Sequence, residues 1–332
     1  MLSRHLAAIM RPERERGAAL LTVLLLVAVI AVMAATGLEK LRIATRLGGN
    51  TIALDQARAY AQAVETLATT RVTALLRQDA TRVTLAGGWS GRPFALPVPE
   101  GTAVARVTDG GNCFNLNSLV KREGDGRYVA YTPAIEQFAR LMRLIGAPNG
   151  NSIAAAAADW IDSDDTPLPG GAEDVTYLAS QPAYRTAGTL MADPSELRAV
   201  AGVTPEAYAA LKPWICTLPR AERSVINVNT LGPEQAPLLA MLLSDAMGVA
   251  GARAILARRP AGGYANRDAI WRAPGQAGIS PDPLAMDQVD VTSRWFALRV
   301  DVALAGVSLQ ERGLIDATAL PARLVSRQWG EP

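Results

Sequence analysis

Between Ala18 and Leu38 the chain carries 21 residues, AALLTVLLLVAVIAVMAATGL, without a charge, and no other feature constrains its fold as strongly. As a helix rising about 1.5 Å per residue this run spans about 31 Å, close to the thickness of a bilayer's hydrocarbon core. Glu39, Lys40 and Arg42 end it abruptly, and Arg11, Arg14 and Arg16 precede Gly17 on the other side. Basic residues before the run place the N-terminus in the cytoplasm and the remainder across the membrane. The run is too long for the apolar region of a signal peptide. Two readings stay open: an ordinary signal anchor, or a charged leader ending at Gly17 ahead of a helix that continues beyond the lipid.

The continuation is visible in the period. Ala57, Ala61, Val64, Leu67, Ala68, Val72 and Leu75 recur at spacings of three and four, with Asp55, Arg58, Glu65, Arg71 and Arg77 between them. This predicts an amphipathic helix that rests one stripe on a folded domain. Gly48 and Gly49 lie in the middle, and the pair predicts a bend or break there.

Composition closes off whole classes of chemistry. The 332 residues include one histidine, His5, and two cysteines, Cys113 and Cys216. A Ser-His-Asp or Cys-His nucleophile, a His-ligated zinc and an HExxH site all require histidines that only the fifth residue could supply. Two thiols cannot build a four-thiolate zinc or iron–sulfur site. With 33 basic against 31 acidic residues, the chain lacks the concentrated positive charge of a general nucleic-acid binder.

After the helix, Gly87-Gly88, Gly91, Pro93, Pro97 and Pro99 mark a loop, and Thr102–Thr108 alternates as a strand. From about Ser118 to Pro283 the chain is alanine-rich and helical by period. Ser293–Leu304, Val307–Leu309 and Ala322–Arg327 then return to strand patterns. Strands on both sides of a helical block predict a small α+β domain with a large helical insertion.

The densest chemistry is the segment DWIDSDDTPLPGGAED, where Asp159, Asp162, Asp164, Asp165, Glu173 and Asp174 fall within 16 residues with no lysine or arginine among them. Such a cluster repels itself unless a hard cation draws the oxygens into one shell. Calcium, with six to eight oxygen ligands and tolerant geometry, suits this better than magnesium. The spacing is not that of an EF-hand. The expected ligands are Asp162, Asp164, Asp165, Glu173 and Asp174, around one or two ions, with Asp159 as a cap or outer group. The alternative is a solvated loop whose aspartates cap helices and turns. Paired carboxylates could also serve glycoside hydrolysis, but the chain is poor in the aromatics of a sugar cleft.

A charged leader ending in glycine, then a half-apolar, half-amphipathic helix, resembles type IV pilins and type II secretion pseudopilins. DGGNCFNLNSL, DWIDSDDTPLPGGAED, PWICTLP, INVNT and the closing LVSRQWG together extend the resemblance along nearly the whole chain. The chain is similar to the minor pseudopilin family called general secretion pathway protein K. The resemblance implies an α+β pseudopilin fold with an inserted helical domain. Its parts would be a leader over 1–17, a membrane helix over 18–38, the rest of the helix and first strands over 39–117, the insertion over 118–285, and closing strands over 286–332.

It also implies cleavage by a prepilin peptidase after Gly17, methylation of Ala18, calcium in the helical domain, and no enzymatic activity. The implied location is the inner membrane, with the main domain in the periplasm. The implied partners are minor pseudopilins I and J at the pseudopilus tip, the major pseudopilin, the outer-membrane secretin and secreted cargo. Thr22 stands at the fifth mature position, where most pseudopilins carry a glutamate and this family does not.

Cys113 and Cys216 flank much of the first half of the helical block, on the side of the membrane where a disulfide persists; two buried thiols are the alternative. Ile226–Gln235, followed by helices to Arg258-Arg259, is similar to the opening of helix-hairpin-helix modules. A membrane-anchored periplasmic module for DNA or another ligand is therefore the second functional reading. The hairpin Asp245–Gly251 lacks the close glycine pair that lets amides reach phosphate, so nucleic acid is not the expected partner. Residues 1–17 hold four arginines and two glutamates, so their removal leaves 29 basic and 29 acidic residues and no histidine.

Overall fold

The computed structural model describes residues 13–99, 101–243, 247–272 and 283–330. Residues 1–12 of the expected leader and Asp245-Ala246 of the hairpin lie outside them.

Helix α1 (Glu13–Gln78) runs for 66 residues. It contains an 18-residue window of mean hydropathy 2.9, none of it buried in the protein, and is long and apolar enough to cross a membrane. The break expected at Gly48-Gly49 does not occur. An interior glycine costs only about 1 kcal/mol, and a helix already nucleated on both sides gains one hydrogen bond per residue by continuing through it. No neighbouring atom lies within 4 Å of a Cβ position at either glycine, so no tertiary contact pulls the helix apart there.

Past Ile52 the amphipathic stripe is used. Ala57, Ala61, Val64, Ala68 and Val72 are buried against a five-stranded antiparallel sheet. Strands β1 (Phe94–Leu96) and β2 (Gly101–Asp109) open the sheet, and the alternation predicted for β2 puts Ala103, Ala105 and Val107 on the helix side.

The chain then leaves the sheet and builds the helical body. This contains β3 (Phe114–Asn115), the hairpin of β4 (Val120–Arg122) and β5 (Tyr128–Ala130), and helices α2 (Thr132–Leu144), α3 (Gly150–Ile161), α4 (Asp174–Leu178) and α5 (Pro205–Leu211). Next come β6 (Ile215–Cys216), β7 (Ile226–Asn227), α6 (Ala236–Ala240), α7 (Gly248–Ala257), α8 (Arg267–Arg272) and β8 (Val289–Asp290). The sheet resumes with β9 (Trp295–Leu304), β10 (Val307–Asp316) and β11 (Arg323–Trp329), in the order β1-β2-β9-β10-β11. The β9–β10 hairpin turns through Ala305 and Gly306, with φ of 48° and 82°. Two positive φ values match the turn twist that antiparallel strands favour.

Asp109 pairs with Phe296, so the excursion runs from residue 110 to 294, wider than the expected 118–285. The flanking segments form short parallel pairs, β3 with β6 and β7 with β8, inside the helical body instead of lengthening the sheet. Accordingly Phe114, Val289 and Val291 belong to the hydrophobic core of the body, a core separate from that under the sheet.

Cys113 and Cys216 are bonded and staple the point where the chain enters the body, beside the β3–β6 pair. A polar latch fixes the body to the end of the sheet. Asp109 accepts hydrogen bonds from the Thr230 and Ser293 hydroxyls, and Asn227 donates to the Val83 carbonyl and Ser293. INVNT is therefore a joint between domains. Arg259 donates to the Val228 and Leu231 carbonyls and braces the same segment.

Between helix and sheet, Glu65 on α1 receives two hydrogen bonds from Arg327 on β11. Glu311 on β10 is 1% exposed, with neither carboxylate oxygen hydrogen-bonded. Burial, reinforced by Glu65, pushes its carboxyl up to about 8, against the partial relief of Arg327. The folded state therefore holds a proton that the unfolded chain releases near its ordinary value. This group's contribution is favourable below about 4.5 and is lost as pH rises towards 8. Glu311→Gln should flatten the fall in melting temperature across that window and be more stable than the parent at pH 9. Thermal melts of both chains at several pH values check it; an unchanged slope refutes it.

Candidate metal centre

The site begins at the end of α3, whose alanine-rich run from Ala154 to Ala158 is entirely buried. Asp159 lies in its last turn. Asp162 is its C-cap residue, extended at φ −69° and ψ 174°, where the chain leaves the helix. A loop through Pro167, Pro169, Gly170 and Gly171 then reverses direction and brings Glu173 back as the N-cap residue of α4.

Asp159 holds this reversal in place. Its carboxylate accepts from the Leu168 amide at 3.2 Å and the Ala172 amide at 2.7 Å. Gly171 passes so close that a Cβ there would collide with the Asp159 carboxylate, which is why the turn needs glycine at that position.

Three carboxylates thereby converge. Asp159, Asp162 and Glu173 are 0%, 3% and 4% exposed, and each offers an oxygen within 4.8 Å of the others. Asp162 Oδ1 and both Glu173 oxygens lack any hydrogen-bond partner. Buried anionic groups without partners are costly. The cost appears as a preference for the protonated form. Burial first, then the charges of Asp164 and Asp159, pushes Asp162 up to about 7. Burial, then Asp162, Asp159, Asp164 and Asp165, pushes Glu173 up to about 7. Burial also raises Asp159, against the pull of its two amide donors.

A divalent cation would resolve this conflict. The donors are all hard oxygens, as calcium prefers. Ligands about 2.4 Å from one calcium ion are at most about 4.8 Å from each other, so the separations suit a shared ion. Asp159, Asp162 and Glu173 fit that role, with Asp159 also tying the loop to the helix.

The other expected ligands stand differently. Asp164 is exposed, and its Oδ1 accepts the Thr166 amide at 2.9 Å. Asp165 is exposed, close enough to add to the field on Glu173. Asp174 accepts the Thr186 amide at 2.9 Å and hydroxyl at 3.1 Å and pairs with Arg185. These contacts, led by the Thr186 amide, lower its carboxyl below the ordinary range. Asp174 thus fastens the segment after α4 to the loop. Asp159, expected as a cap or outer group, is the most buried of the cluster and accepts two loop amides. The signal was its spacing: Asp159 and Asp162 are three apart, on one helical face.

Comparison with known proteins follows the same regions. A family described as "Type II secretion system (T2SS), protein K" matches residues 112–220, and a second of that description matches 226–292. The chain is 33% identical over 328 residues to "Type II secretion system protein K" of Pectobacterium carotovorum subsp. carotovorum, covering 96% of this chain and 97% of the relative. It is 33% identical over 324 residues to the protein of the same description from Klebsiella pneumoniae, covering 96% and 97%. Among solved structures, it is similar to a chain of the GspK-GspI-GspJ complex from the enterotoxigenic Escherichia coli type 2 secretion system. That match has a TM-score of 0.72 and 29% identity, over 84% of this chain and 97% of the other.

Proposed function

The chain belongs to the type II secretion system protein K family, and from that premise we propose that it is the minor pseudopilin closing the tip of the periplasmic pseudopilus. The observation that carries this reading is the helical body, which leaves the sheet at Asp109 and returns beside it at Trp295. In this reading a neighbouring subunit would lay its N-terminal helix beside α1. A body of residues 110–294 attached to the end of the sheet is bulk that a subunit above would have to clear. Thr22 fits the same position. Its hydroxyl donates to the Ala19 carbonyl within its own helix, and it offers no carboxylate to a neighbour's N-terminal amine.

In this reading α1 first sits in the inner membrane with the remainder in the periplasm, and then packs with the helices of minor pseudopilins I and J. That tip complex starts filament assembly and supports export of folded proteins past the secretin. Calcium held by Asp159, Asp162 and Glu173 keeps the loop before α4 in shape. The protein carries out no reaction; it is the substrate of the prepilin peptidase.

Processing separates this function from a plain membrane anchor. Intact mass of the chain from cells containing prepilin peptidase should show loss of residues 1–17 and one added methyl group on Ala18. Chain from peptidase-deficient cells should keep the leader. A leader retained in both overturns the pseudopilin reading.

A further inference from the structure

Between the far end of α1 and the β1–β2 edge lies a cleft of about 430 Å³, within the usual range for ligand pockets. Its floor is apolar, from Val72 and Leu75 of α1, and one wall is Trp89. That wall is held rigidly: Trp89 Nε1 donates to the Thr84 carbonyl at 2.7 Å, and its ring leans on Phe296 at 5.6 Å.

The charged residues lining the cleft are Arg71 and Arg92, with no acidic side chain among the described lining residues. Both are exposed. Two arginines nearby in the chain have carboxylate partners: Arg58 pairs with Asp55 and Arg82 with Asp79. Arg71 and Arg92 have none among the described residues. Arg71 stacks its guanidinium carbon 4.1 Å from the centre of the Phe94 ring. Stacking engages the face of the guanidinium and leaves its in-plane donors for a carboxylate.

We propose that this cleft is a docking site for an acidic peptide segment of a partner protein, whose carboxylates pair with Arg71 and Arg92 and whose apolar side chain fills the floor beside Trp89 and Phe94. Charge complementarity selects an anion, and the apolar floor selects one with a side chain to bury, which inorganic phosphate lacks. Membrane lipid is the wrong source. Arg71 lies 33 residues past Leu38 on the same helix, about 50 Å from the end of the apolar run. The site does not depend on the chain's place in the filament.

The test uses the full-length chain in detergent and three fluorescein-labelled decapeptides: Asp/Glu interspersed with Phe and Leu, the same with Ser for the acids, and the same with Ser for Phe and Leu. Anisotropy should show the first binding at least tenfold more tightly than either control. Arg71→Glu with Arg92→Glu should weaken it at least tenfold while lowering the melting temperature by no more than about 4 °C, the effect of losing the Arg71–Phe94 stack. Arg92→Glu alone, which removes no hydrogen bond or ion pair among the described residues, should weaken it severalfold and serves if the double variant does not fold. Equal binding by parent and charge-reversed chains overturns the proposal. So does equal binding of acidic and serine peptides, absence of saturable binding, or displacement of the peptide by phosphatidylglycerol vesicles or phosphate.

Discussion

Calcium added to the metal-free full-length chain in detergent should raise its melting temperature by about 5–10 °C, and Glu173→Gln should abolish the rise. A ligand at a hundred times its dissociation constant stabilises the folded state by about 2.7 kcal/mol. In a folded region of this size each kcal/mol moves the midpoint by about 2–4 °C. The sign of the pH dependence follows from Asp162 and Glu173, both pushed up to about 7 from 3.8 and 4.5. Without metal, folding takes up protons at these groups. Their contribution is therefore intact below about 4 and is lost as pH rises towards 7. Calcium binds the ionised forms, so its effect should be small at pH 5 and large at pH 8. Glu173→Gln removes one of the repelling charges, so the metal-free variant should melt no lower than the parent at pH 8 while ignoring calcium. Melts at both pH values, with and without calcium, decide the matter. A calcium shift of the same size in Glu173→Gln, or none in the parent, removes the site. Terbium provides an independent reading, with Trp160 between the first two carboxylates in the chain as the sensitiser.

Replacing residues 110–294 by a short glycine turn should lengthen pseudopili in cells that overproduce the major pseudopilin. The splice is sterically simple because Asp109 and Phe296 already face each other across adjacent strands. The sheet core and the α1 stripe form a cluster of their own, so the remaining pseudopilin domain keeps its packing. If bulk at the tip ends growth, the spliced chain enters the filament without closing it, and electron microscopy should show a several-fold increase in length. Unchanged lengths with the spliced chain incorporated would mean that the body does not act as a cap. The same cells should lose secretion if the body also organises the tip complex.

Much of this was legible in the linear chain because the signals are local. A stripe such as Ala57, Ala61, Val64 and Ala68 repeats within a few residues, and the strand Gly101–Asp109 alternates within itself. The candidate centre was legible as a place, since six carboxylates in 16 residues with no base among them are visible in one line. Which of them meet was not legible. Asp159 and Glu173 lie 14 positions apart and converge only because two backbone amides and a glycine close the loop between them. Asp174, adjacent to Glu173, is drawn instead to Thr186 and Arg185, residues that composition treats like any others.

What the sequence by itself determined is the membrane-length helix, the interrupted α+β plan and the family, each set by residues close enough along the chain to act through period, length or motif. Only the tertiary structure decided that α1 continues through Gly48-Gly49, that the excursion spans 110–294, and that Asp159, Asp162 and Glu173 share one buried space. It alone placed Glu311 beside Glu65 and left Arg71 and Arg92 without carboxylate partners among the described residues. These are outcomes of long-range contact. Burial and field at one residue depend on groups brought to it from other parts of the chain, and that information is absent from any local stretch of residues.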